Sequence, residues 1–163
     1  VSIVHNPSSN LKLSSGILDV KRLIDFGINV CLGTDSAASN NKQSMLREIQ
    51  VAALLAKYHS PDGLKSYDIL KMATINGSKA LGLEDKIASI EIGKKADIIM
   101  IDLDNINHLP ENDIISSICY STYENDIKYA LIDGELILEN GKLVYLDEEE
   151  IKSNARSLSK ELL

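Results

Sequence analysis

The sequence predicts an α/β fold whose second half turns antiparallel, and three observations carry that prediction. Over residues 1–82, short apolar runs alternate with amphipathic helical segments, which is the rhythm of a parallel sheet. Further on, the turn dipeptides Asp133-Gly134 and Asn140-Gly141 separate three short strand candidates, as tight hairpins require. The composition is that of a folded chain: 163 residues, 44% hydrophobic and 25% charged. A chain of that length buries about two-thirds of its unfolded surface.

Each element has a local reason. Residues 1–5 are an apolar strand that Asn6-Pro7 ends, because proline has no N–H for a ladder. The polar run 8–15 reads as a loop. Residues 19–26 place Val20, Leu23 and Ile24 on one helix face, and Gly27 follows as the stop. Residues 28–32 form a buried strand between two glycines. A long helix is expected over 40–58, with Met45, Ile49, Ala52, Ala53 and Ala56 at helical spacing and Pro61 beyond its end. Ser66 is the expected N-cap of a helix over 67–74, with Asp68 favouring the dipole in its first turn. Asn76 or Ser78 caps a second short helix through Leu81, closed by Gly82. After Gly82, residues 96–101 are almost continuously apolar, and 129–132, 136–138 and 143–145 are the three hairpin strands. Residues 147–163 open with four acidic residues and continue with Ile151, Ala155, Leu158 and Leu162, a terminal amphipathic helix.

Charge and punctuation exclude several function classes. The chain carries 17 basic and 24 acidic residues, a net charge of −7. A nucleic-acid or anionic-membrane surface needs a basic footprint, so neither partner is expected. No apolar run approaches the ~20 residues that span a bilayer. Two cysteines, Cys31 and Cys119, make no disulfide framework and suggest a reducing compartment, hence a cytoplasmic location. The chain opens inside a strand, at Val1, with no initiator Met and no polar leader, which predicts a piece of a longer protein.

The candidate chemistry lies at two strand ends. Leu32-Gly33-Thr34-Asp35-Ser36-Ala37-Ala38-Ser39 delivers a carboxylate at the carboxyl end of a buried strand, where α/β folds bind ligands. Asp35 has the chemistry of a hard metal ligand and of a modest base; the alternative is that it caps the next helix. His5 follows the first strand and is either a ligand or proton carrier or a hydrogen-bonded core residue. Asn10 is expected to brace its loop through backbone hydrogen bonds. His59 suits a helix C-terminus, and His108 stands before Pro110; neither has a partner at metal-ligand spacing. Ser36 and Ser39 have no base nearby in sequence, so a serine nucleophile has little support. Cys31 and Cys119 read as packing residues.

Taken together, these residues are familiar. His5-Asn6-Pro7-x-Ser9-Asn10-Leu11-Lys12-Leu13, followed by Gly27-x-Asn29-Val30-x-Leu32-Gly33-Thr34-Asp35-Ser36-Ala37-Ala38-Ser39-Asn40, resembles the amidohydrolase superfamily. The likeness is nearest to its chlorohydrolase and 5-methylthioadenosine/S-adenosylhomocysteine deaminase branch. Residues 73–82 resemble that branch's helix after the last barrel strand, and 90–99 its re-entry into a small β-sandwich.

The resemblance implies the C-terminal part of a distorted (β/α)₈ TIM barrel, its last two βα units, with strands of a small β-sandwich and a terminal helix. The implied segments are 1–86 for the barrel, 87–146 for the composite sandwich and 147–163 for the helix. Asp35 is then the catalytic aspartate and a metal ligand, and Ser39 contacts substrate. His5 and Asn10 stand behind the site without touching the metal. The cofactor implied is one divalent metal, zinc first and iron as the alternative, not retained by these residues alone. The family's His-x-His, its further histidine ligands and its glutamate are absent from this chain. The reaction implied for the whole protein is hydrolytic deamination of an adenine nucleoside, with these residues alone inactive. Guanine and triazine hydrolysis stay open as alternatives, as does a non-catalytic chain that self-associates through open strand edges. The partners expected are a small heterocyclic substrate and further copies of the chain in a homo-oligomer.

Overall fold

A computed structural model describes the chain except Ser60, Glu111 and Leu163, and except the side chain of Leu162. It divides into two compact units, Val1–Lys94 with Leu103–Glu124, and Lys95–Asp102 with Asn125–Leu163.

The first unit begins with β1 (Ser2–His5), α1 (Pro7–Lys12), α2 (Val20–Asp25) and β2 (Asn29–Leu32). β1 and β2 pair in parallel, from Ser2 opposite Asn29 to His5 opposite Leu32. The Gly33 N–H carries the ladder one step further, to His5 O at 3.0 Å. Parallel pairing needs a crossover, and α1 and α2 supply it. Residues 8–15, expected as a loop, instead hold α1, with Pro7 at its first turn. Proline there gives up only an N–H that has no intrahelical partner, so a proline that ends a strand also starts a helix. α2 begins as its sequence requires, with the Asp19 carboxylate accepting from Arg22 N at 3.1 Å.

α3 spans Met45–His59 rather than starting at residue 40. Gln43 takes φ +49°, which interrupts a helix, and Ser44 Oγ then accepts from Arg47 N at 3.2 Å to open one. α4 (Ser66–Ala73) and α5 (Ile75–Leu81) come next, the latter closed by Gly82 in the left-handed conformation. Thr74, not Asn76, holds the N-cap position of α5. The Asn76 side chain instead donates to Val30 O at 2.8 Å, while Asn29 Nδ2 donates to Asn76 O at 3.0 Å. This exchange covers a carbonyl of β2 that would otherwise lie open. α6 (Ile114–Ser121), a helix absent from the sequence-based expectations, is capped by Asp113 through Ile115 N and Ser116 N. Its Cys119 joins Val20, Val30, Leu32, Ile49, Ala52, Ala53, Leu64, Ile69 and Met72 in the core. Residues 103–124 thus pack with the first unit although they fall inside the expected 87–146 segment.

The second unit carries β3 (Ile98–Ile101), β4 (Ile127–Ile132), β5 (Glu135–Glu139) and β6 (Lys142–Leu143). They form one antiparallel sheet in that order. Asp133 and Gly134 take φ +52° and +83°, and Asn140 and Gly141 take +50° and +74°, the backbone of two-residue hairpin turns. β6 ends at Leu143 rather than reaching 145, so the sheet finishes in a very short edge strand. α7 (Glu148–Leu162) starts where the Asp147 carboxylate accepts from Glu149 N at 2.9 Å and Glu150 N at 3.1 Å. Its Ile151 and Leu158 are exposed. Among the described residues, no helix is long and apolar enough to cross a membrane.

Candidate functional site

The site grows from the carboxyl end of β2. Cys31 and Leu32 are buried, and Gly33 then brings the backbone against β1. A Cβ on Gly33 would lie 2.6 Å from Asn6 Oδ1 and 2.7 Å from Val4 Cγ1, so any larger residue there must displace those two side chains. Past this point the chain leaves the sheet, and Asp35 takes φ +59°. Asp and Asn are the residues that tolerate this region best after glycine.

Two donors fix the Asp35 carboxylate. Ser9 Oγ, from α1, donates to Oδ2 at 2.6 Å, and the Ser36 N–H donates to Oδ1 at 2.7 Å. Those bonds, Ser9 first, hold the Asp35 carboxyl below the usual carboxylate range. The group is exposed, ionised at neutral pH and oriented, which is the state a ligand or a base needs. Asp35 does not cap the next helix: α3 starts ten residues later, at Met45. Around it, Gln43 Nε2 donates to Asp35 O at 3.0 Å, and Lys12 Nζ donates to Ala38 O at 2.9 Å and to Asn41 Oδ1 at 2.8 Å. The loop is therefore pinned from α1 and from within.

The other expected residues fall at different distances from this carboxylate. Ser39 is buried in the turn, its Oγ donating to Ser36 O at 3.3 Å and lying 3.5 Å from Ser36 Oγ. Asn10 lies on α1, where its N–H donates to Asn6 O at 3.0 Å and its carbonyl accepts from Ser15 N at 2.9 Å. His5 is buried at the end of β1, and its Nδ1 has no hydrogen-bond partner. His59 ends α3, and His108 is buried with Nδ1 2.6 Å from Ser117 Oγ. Three residues that spacing does not single out belong to the site: Ser9, Asn40 and Glu48. Glu48 does leave a signal, since it stands three after Met45 and four before Ala52, a carboxylate inside an apolar helical stripe.

His5 is expected to make the fold acid-sensitive. Burial pushes its imidazole below the ordinary value of about 6.5, against an opposing pull from Glu48. The unfolded chain then binds a proton near pH 6 that the folded chain refuses. This contribution is fully present above about pH 6.5 and declines as pH falls from there toward the lowered folded value. The melting temperature is expected to drop between pH 7.5 and 5.5, and His5→Gln is expected to flatten that drop. An equal drop in both proteins would rule His5 out as its source.

No three His, Cys, Asp or Glu side chains gather among the described residues. A catalytic zinc takes three protein ligands, more than the described residues bring together. Asp35 is a fit for one ligand position, because each of its oxygens keeps a lone pair beyond the hydrogen bond it accepts.

Comparison with known proteins identifies the family. Residues 1–137 match the amidohydrolase family. A 5-methylthioadenosine/S-adenosylhomocysteine deaminase of Acetivibrio thermocellus is 45% identical over 100% of this chain and 38% of its own length. A 5′-deoxyadenosine deaminase of Methanobrevibacter smithii is 46% identical over 99% of this chain and 38% of its own length. The crystal structure of an adenosine deaminase from Xanthomonas campestris with bound zinc superposes with a TM-score of 0.94 at 36% identity, covering 98% of this chain and 37% of that one. The chain thus spans about two-fifths of the length of the proteins it matches.

Proposed function

The chain belongs to the amidohydrolase family, and from that membership we propose that it is roughly the last two-fifths of a metal-dependent deaminase of adenine nucleosides. The full-length protein is then a polypeptide of the relatives' length that contains these residues. The observation that carries the reading is the ionised, doubly bonded Asp35 carboxylate at the ligand-binding end of β2, in a chain aligned end to end with deaminases.

In this reading residues 1–86 are the last two βα units of the barrel, 87–146 enter its sandwich and 147–163 close the chain, with 103–124 returning to pack on the barrel part. Zinc, or iron in its place, held by Asp35 and by residues outside this chain, would supply the Lewis acid that activates water. Asp35 takes the proton of the attacking water and passes it to the departing ammonia, the task of a carboxylate kept ionised and oriented. Ser9 Oγ and the Ser36 N–H keep one carboxylate rotamer through both transfers. Ser39 contacts the substrate from the turn beside Asp35, while His5 and Asn10 support the two strand ends. The unpaired, buried Cys31 and Cys119 support a cytoplasmic location.

The test is ammonia release by the full-length protein from 5′-methylthioadenosine, S-adenosylhomocysteine and 5′-deoxyadenosine, with guanine and a chlorotriazine as comparison substrates. Turnover of at least one adenine nucleoside in preference to the other two is expected. Turnover confined to guanine or the triazine would replace the substrate class, and no hydrolysis of any would overturn the reading.

A further inference from the structure

We infer that Glu48 is a positioning residue for the Asp35 carboxylate, a buried tie that joins the two segments that fix it. The inference deepens the reading of Asp35 given above and rests on it for its functional meaning, while its geometry stands independently.

Glu48 is on the inner face of α3 and fully buried, at 0% exposure. Its Oε2 accepts from Ser8 N at 3.0 Å, and its Oε1 accepts from Asn40 Nδ2 at 2.8 Å. Asn40 Nδ2 also donates to Thr34 O at 2.8 Å, the carbonyl directly before Asp35. Ser8 directly precedes Ser9, whose hydroxyl holds Asp35 Oδ2 at 2.6 Å. One buried carboxylate therefore reaches both sides of the site. Through Ser8 it sets the start of α1, and hence the Ser9 hydroxyl. Through Asn40 it sets the loop, and hence the left-handed backbone of Asp35.

The chemistry at position 48 is specific. Both partners are donors, so the side chain there must offer two acceptors. A carboxylate does; an amide offers one oxygen and turns an NH₂ against the other donor. An apolar residue would leave the partly buried Ser8 N–H without this acceptor. Burying a carboxylate is costly unless it is fully hydrogen-bonded, and an ordinary apolar residue would otherwise suit the core side of α3. The bonds end on the Ser8 N–H and on Thr34 O, one residue before Ser9 and one before Asp35.

The test uses NMR of the full-length protein and needs no substrate, so a failure of the deaminase reading leaves it intact. The Ser36 amide proton, which donates to Asp35 Oδ1 at 2.7 Å, reports whether the carboxylate is in place. Glu48→Gln and Asn40→Ala are both expected to move it upfield toward the position of an unbonded amide, in chains that remain folded. Asn40→Ala keeps the Ser8 bond and serves if Glu48→Gln does not fold. In the full-length protein the same variants are expected to lower kcat by about 10–100-fold with KM little changed. An unmoved Ser36 resonance beside a lowered melting temperature, or loss of folding in both variants, would reduce Glu48 to a support of the core and overturn the inference.

Discussion

On the proposed reading, replacing Asp35 by alanine in the full-length protein is expected to lower kcat/KM for an adenine nucleoside by about 10³-fold or more, because that reading gives Asp35 the work of both a metal ligand and a positioned base. The side chain is exposed and none of the core rests on it, so with metal removed from both proteins the melting temperature should stay within a few degrees of the parent's. Asp35→Asn separates the two roles. It keeps a ligand oxygen and the Ser9 partner but cannot accept a proton, so metal retention with little activity is expected. Activity of the alanine variant within tenfold of the parent would remove Asp35 from the chemistry.

Gly33→Ala is expected to destabilise the chain by about 1–3 kcal/mol, the usual cost of forcing an extra carbon into a closed contact. The new Cβ would meet Asn6 Oδ1 at 2.6 Å and Val4 Cγ1 at 2.7 Å. The Val4 and Asn6 side chains must shift to admit it, and where they do not, the two strand ends part and the Ser9–Asp35 bond is disturbed. Gly77→Ala is the control, since a Cβ there meets nothing within 4 Å and lies inside α5. That change is expected to be neutral or stabilising by about 0.5–1 kcal/mol, as alanine is the better helix former. Equilibrium urea unfolding of both variants decides the matter; a Gly33→Ala protein as stable as Gly77→Ala would mean that the strand ends are not closed as described.

The elements legible in the sequence are those whose signals are local. β2 is a short apolar run between two glycines, α2 carries its own Asp19 cap, and the Asp133-Gly134 and Asn140-Gly141 turns require no more than four residues of context. Asp35 is readable for the same reason, as a carboxylate at a buried strand's end. Its partners are not. Ser9 is 26 residues away and meets Asp35 only because β1 and β2 pair in parallel. α1 hides in a serine-rich stretch whose low propensity is outweighed by Pro7 at the first turn and by long-range bonds through Ser8 and Ser9. Asn76 has the look of a helix cap and instead serves a strand carbonyl, a role no spacing announces. The helix expected over 40–58 takes in the polar run 40–44, yet α3 begins only at Met45, because the side chains of Asn40 and Gln43 hold the Asp35 loop. In each case tertiary contact decides what propensity leaves open.

The central claim, that Asp35 brings one ligand to a metal held mostly by residues outside this chain, is tested most directly by metal content. Three purified proteins are compared: the full-length protein, its Asp35→Ala variant and the 163-residue chain. Expected are on the order of one divalent metal per full-length chain, its loss in Asp35→Ala, and none retained by the 163 residues alone, since a catalytic metal needs three protein ligands and the proposed reading draws one from them. Stoichiometric metal on the 163-residue chain, or a full-length protein that binds its metal equally well without Asp35, would contradict that claim.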